Sequence, residues 1–116
     1  MDLFPRQVKV GAHRYGVLFP YLFQERTDIC GQCDNSSAVI LLTPVDQAGV
    51  RRASSKIVEA FWHEVLHAID ETYNGGGIEE STMRRLSEGL AQVLADNFHV
   101  TAKGDTAVET VAGEKA

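Results

Sequence analysis

Residues 54–97 read SSKIVEAFWHEVLHAIDETYNGGGIEESTMRRLSEGLAQVLADN, and this stretch decides the fold. Val58, Trp62, Val65, Leu66, Ile69 and Tyr73 recur at three- and four-residue spacing, the period of an amphipathic helix. The spacing predicts a helix from Ser54 to Tyr73, capped by Ser54 or Ser55 and with Glu59 toward its electropositive start. Asn74 and Gly75–Gly77 end it, because glycine tolerates a left-handed turn and disfavours helix. A second helix is predicted from Glu79 to Asn97, with Met83, Leu86, Leu90, Val93 and Leu94 as its apolar face. Two helices joined by about four residues are expected to lie antiparallel.

Upstream the period changes. In QVKVGAHRYGVLFPYLFQ, residues 7–24, Val8, Val10, Tyr15, Val17 and Phe19 alternate with less apolar positions. That predicts one or two short strands, possible as a hairpin, ending near Pro20. QERTDICGQCDNSS, residues 24–37, is polar and turn-rich and reads as a loop. Ala38–Thr43 is a short apolar run closed by Pro44, which suits a buried or edge strand. The fold class expected is α+β: a small, mostly antiparallel sheet packed on two main helices. Residues 1–100 are expected to form one domain. The remainder, 101–116, lacks a sustained apolar face and reads as a flexible tail.

At 116 residues the chain can build one small core. Hydrophobic residues make up 44% and charged residues 23%, which argues against a wholly disordered chain, and 10 scattered Gly with only 3 Pro exclude collagen-like and low-complexity classes. The net charge of −5, with no basic stripe, argues against nucleic acid as a partner. No apolar run approaches the ~20 residues of a membrane-spanning helix. The opening MDLFPRQVKV has no basic end followed by an apolar run, so no signal peptide is read and the cytoplasm is the expected compartment. Cys30 and Cys33 form a lone C-x-x-C. Without a second pair they read as ordinary loop cysteines, a disulfide, redox or metal role being the alternative.

The chemistry lies in His63-Glu64-Val65-Leu66-His67, an H-E-x-x-H on the first helix. Residues four apart differ by about 40° in direction and about 6 Å in height, so two imidazoles can close on one metal ion. Glu64 would stand beside the ion and serve as general base toward metal-activated water. Shuffling this composition yields the pattern about one time in a hundred, so coincidence is disfavoured. The competing reading is a solvated polar face with two ordinary histidines. A zinc site of this kind needs a third protein ligand and an open position. Glu79, Glu80 and Glu88 on the second helix are the candidates, each equally explicable as a surface or helix-end charge.

HEVLHAID, followed by Glu80, Met83, Leu86 and Ser87 at their spacing, resembles the small gluzincin-type metallopeptidases, including ImmA/IrrE-like proteins and compact H-E-x-x-H proteins of phage and prophage genomes. The resemblance covers residues 7–98, with high specificity only in the H-E-x-x-H. It implies a zincin-like fold, a Zn²⁺ ion held by His63, His67 and Glu80, Glu64 as the proton-transfer residue, and a peptide or protein substrate. It also implies that an edge strand, Ala38–Leu42, aligns an extended substrate. Arg84 departs from the pattern, which has an acid or asparagine there to orient a metal-binding histidine. Hydrolysis of peptide bonds is the activity expected, and a metal-binding but non-catalytic structural, assembly or regulatory role is the alternative.

Overall fold

In the computed structural model the described residues are 4–24 and 28–103. They form β1 (Gln7–Val10), β2 (His13–Leu18), β3 (Gly31–Asp34), β4 (Val39–Leu42), α1 (Ser54–Asn74) and α2 (Glu80–Asn97). The fold is α+β as expected, a four-stranded sheet in the order β1-β2-β4-β3 packed on two helices. The β1–β2 and β3–β4 pairings are antiparallel and the β2–β4 pairing is parallel.

The two-residue alternation sets which side chains the sheet buries. Val10, Tyr15, Val17, Ile40 and Leu42 point inward and join Phe61, Val65 and Ala68 of α1 in the core. Leu18, at the end of β2, is half exposed. Gly11 turns β1 into β2 with φ +61°, and a Cβ there would fall 2.7 Å from Thr72 Cγ2. The hairpin turn therefore rests directly on the end of α1, and glycine is required both for its backbone angle and for that approach.

The structure departs from these expectations in several places. First, Gly31–Asp34 is a strand, β3, within the segment read as a loop. Only Cys33 turns partly into the core there, so the segment carries no apolar alternation to reveal it. Second, Val39–Leu42 is an interior strand between β2 and β3, so the sheet edge beside α1 is β3 and not Ala38–Leu42. Third, the buried side of α1 is rotated from the one read in the sequence. Ile57, Phe61, Glu64, Val65 and Ala68 are buried, whereas Ile69 is 39% and Tyr73 71% exposed. Fourth, α1 starts behind Ala53, with no side-chain cap from Ser54 or Ser55.

The turn between the helices has its own clamp. Gly75 is left-handed and its N–H bonds the Asp70 carbonyl, as does that of Gly76 at 3.0 Å. The Asp70 carboxylate is buried. Its Oδ1 accepts from Asn74 Nδ2 at 2.9 Å and its Oδ2 from the Ile78 N–H at 3.1 Å. One side chain thus satisfies donors on both sides of the glycines and fixes where α2 begins. Of α2, only Met83 and Ser87 are buried. Leu86 and Val93, expected on its packed face, are 52% and 44% exposed. A cavity of about 720 Å³, lined by Phe4, Phe61, Trp62, Leu94 and Phe98 among others, contains neither histidine of the motif nor Glu64. No helix among the described residues is long and apolar enough to cross a membrane. The tail reading of 101–116 falls, from residue 104 on, outside the described residues.

Candidate metal centre

α1 presents His63 and His67 one turn apart, and α2 brings Glu80, its first residue, against both. Glu80 Oε2 lies 2.9 Å from His63 Nε2, and Glu80 Oε1 lies 3.0 Å from His67 Nε2. The two Nε2 atoms are 3.1 Å apart. His63, His67 and Glu80 can hold a metal ion, since each offers one ligand atom to a common point. Of the three carboxylates that were open from spacing alone, only Glu80 joins this group. Glu79 precedes α2 as its exposed N-cap residue, and Glu88 is exposed along it.

The donor set and its dimensions fit a small divalent cation. Tetrahedral ligands bound at ~2.0–2.1 Å stand about 3.3 Å from one another. The separations found are a few tenths of an ångström shorter, so a slight outward movement of the side chains would admit an ion. The His63 and His67 side chains are 16% and 29% exposed, against 63% for Glu80. The cluster is therefore closed on its α1 side and open toward solvent at the start of α2, which leaves room for a further ligand.

Glu64 is buried, with its side chain against Gly31 of β3. Burial, and then the negative charge of Glu80, pushes its carboxyl up to about 8 in the metal-free protein. Such a group holds a proton near neutrality, and a cation beside it would shift the balance back toward carboxylate. Burial also lowers the pKa of His63, partly offset by Glu80, so the neutral ring that a metal requires is favoured.

Two contributors escaped the sequence reading. A Cβ on Gly31 would sit 2.9 Å from Leu42 Cδ2, 3.1 Å from the Leu41 carbonyl oxygen and 3.2 Å from Glu64 Cγ. The strand can lie this close to Glu64 only because residue 31 has no side chain. The glycine between the two cysteines was visible, but its role depends on a packing partner 33 positions away. The second is Ser87, buried on α2 with its Oγ 3.1 Å from His63 Nδ1. In the resembled pattern Ser87 stands only as the small residue.

β3 also offers main-chain groups at the sheet margin. The Thr43 N–H bonds the Cys30 carbonyl at 3.1 Å, and the register pairs Gln32 with Leu41 and Asp34 with Val39. Hydrogen-bonded pairs alternate in an antiparallel ladder, so Cys30, Gln32 and Asp34 direct their N–H and C=O groups to β4. Those of Gly31 and Cys33 point to the outer edge, where no strand of the described residues pairs with them. Both cysteines are free and neither belongs to the metal-ligand cluster. The Cys33 thiol is pushed up to about 12, by burial first and then by the nearby charges of Glu64, Asp34 and Glu71. The protonated thiol is thereby favoured at neutral pH.

Comparison of the chain with protein-family models, with curated proteins and with solved structures returns no match.

Proposed function

We propose that this protein is a zinc-dependent metallopeptidase that hydrolyses a peptide bond with water. The observation that carries the reading is the meeting of His63 Nε2, His67 Nε2 and both Glu80 oxygens at 2.9–3.1 Å, with the buried Glu64 next to His63 in the helix. Two imidazoles and a carboxylate favour Zn²⁺ among available divalent ions. When bound, the ion supplies Lewis-acid polarisation of the scissile carbonyl and makes water acidic enough to lose a proton near neutrality.

The chain's own residues do the rest. Glu64, held in a dry position, takes the proton from the attacking water and delivers it to the leaving amine. The outer edge of β3 suits an extended peptide, whose main chain would pair with the N–H and C=O groups of Gly31 and Cys33. This assigns the aligning role to β3 instead of the interior β4. The two free cysteines accord with a reducing compartment, and a cytoplasmic location is part of the proposal.

The test is a peptide-library digest with zinc-loaded protein, analysed by mass spectrometry and repeated with Glu64→Gln. The reading predicts defined cleavage that Glu64→Gln abolishes while leaving one bound zinc per chain. Zinc binding without cleavage of any peptide or candidate protein would instead favour the non-catalytic, metal-binding role.

A further inference from the structure

We propose that Arg84 is a specificity-determining residue whose guanidinium binds a carboxylate of the peptide substrate, one or two residues from the scissile bond. The assignment rests on the metallopeptidase reading and deepens it, because it names the substrates as anionic peptides. Glu80, Arg84 and Ser87 follow one another at i, i+4 and i+7, so they line one side of α2. The outer two both touch His63. Glu80 Oε2 lies 2.9 Å from its Nε2, and Ser87 Oγ lies 3.1 Å from its Nδ1. Arg84 stands between them, and its main-chain carbonyl accepts from the same Ser87 hydroxyl at 2.9 Å. Its side chain does not follow Ser87 inward. Ser87 is 1% exposed, whereas Arg84 is exposed one turn from Glu80, on the side where the cluster opens to solvent. The positive charge of Arg84 is felt at the His63 ring.

Two further observations give this guanidinium its task. Among the described residues it forms no ion pair, and Glu80, one turn back, has both oxygens on the histidines. In the pattern that the motif resembles, the side chain at this place is an acid or asparagine that orients a histidine. Here Ser87 touches His63 Nδ1 instead, so residue 84 is released from that contact and carries a positive charge. A guanidinium stays charged at every working pH and presents a planar fork of donors that matches a carboxylate. The reach also fits. Four residues of helix rise about 6 Å, and two residues of extended peptide span about 7 Å. A peptide with its scissile carbonyl at the histidine–Glu80 cluster therefore brings to Arg84 a carboxylate from the next residue or the one after. That carboxylate has two sources, an Asp or Glu side chain and the free end of the peptide.

The experiment digests matched peptide sets with zinc-loaded full-length protein and reads kcat/KM by mass spectrometry. One set exchanges Asp and Glu for Asn and Gln around the cleaved bond, and the other exchanges a free C-terminal acid for its amide. The expected preference for the acid over its neutral partner is about 10- to 100-fold, the range of a charge-assisted hydrogen bond. The set that shows it identifies the source of the carboxylate. Arg84→Gln should bring the ratio close to one, Arg84→Lys should recover part of it, and Arg84→Glu should reverse it. Arg85→Gln removes the same charge about 100° round α2 and should keep the wild-type ratio. Fluorescence anisotropy of the same pairs on zinc-loaded Glu64→Gln should show the preference without turnover, weakened by salt. Cleavage at equal rates of acids and their neutral partners would overturn the assignment and leave the peptidase reading standing. So would a preference that survives Arg84→Gln, or one that Arg85→Gln removes equally. Failure of the wild type to cleave any peptide would sink the peptidase reading and this assignment with it.

Discussion

α1 and α2 both carry apolar residues at helical spacing, yet they are used differently. α1 lies between the sheet and α2, and it buries Ile57, Phe61, Val65 and Ala68 together with the polar Glu64 and Asp70. Among the described residues α2 packs on α1 and on no strand, and it buries only Met83 and Ser87. Both nonetheless reach the same metal-ligand cluster. The difference shows that a residue's importance here follows from what lies on each side of its helix. A helix covered on two sides holds His63, His67 and Glu64 largely away from solvent. A helix covered on one side can contribute Glu80 from its first turn with that ligand still open to solvent.

Mutations can break this contrast, and the largest effect is expected in α1. Phe61 is 5% exposed and stacks on Phe4 with ring centroids 4.7 Å apart. Phe61→Ala should cost about 3–5 kcal/mol, read as a fall in the urea midpoint with unchanged slope.

A pH series sharpens the comparison through Glu64. The folded, metal-free protein holds this proton up to about pH 8, whereas the ordinary carboxyl value is 4.5. The folded state therefore binds the proton more tightly than the unfolded chain. Its stabilising contribution is complete below pH 4.5 and is lost as pH rises through about 8. Chelated wild-type protein should lose a few kcal/mol across that window by denaturant titration, and Glu64→Gln should flatten the slope.

Gly31→Ala is expected to have a smaller effect, about 1–3 kcal/mol, because Leu42, the Leu41 carbonyl and Glu64 must all give way to the new methyl group. Thermal melts would measure it, and peptide hydrolysis should fall with it as Glu64 is displaced. The smallest effect belongs to α2. Leu86 is 52% exposed, so Leu86→Ala should change stability by no more than about 0.5 kcal/mol. A loss comparable to that of Phe61→Ala would show that the outer face of α2 is covered in solution, and the contrast between the helices would fail.

Much of this architecture was legible in the sequence. The helical period and the three glycines gave both helices to within a residue or so, and alternation pointed to one or two strands where β1 and β2 lie. β3 was not legible, because Gly31–Asp34 is a strand that contributes almost nothing apolar to the core. The buried side of α1 was misread for a related reason. With coverage on two sides, apolar residues spread around the helix, and the margin residues Ile69 and Tyr73 mimicked a core stripe. At the site, His63, Glu64 and His67 were legible because their relationship is local and follows from helix geometry. Glu80 could be chosen over Glu79 and Glu88 only through a resemblance, since its position depends on the turn that Asp70 clamps. Ser87 and Gly31 act through contacts 24 and 33 residues away, which no spacing rule reaches.

The central claim is that His63, His67 and Glu80 together hold one divalent cation. Zinc titration of chelator-stripped protein by calorimetry, beside His67→Ala and Glu80→Ala, tests it most directly. The account predicts one zinc per wild-type chain, with binding weakened by at least an order of magnitude in each variant. Wild-type protein that takes up no zinc, or variants that bind it as tightly as wild type, would contradict it.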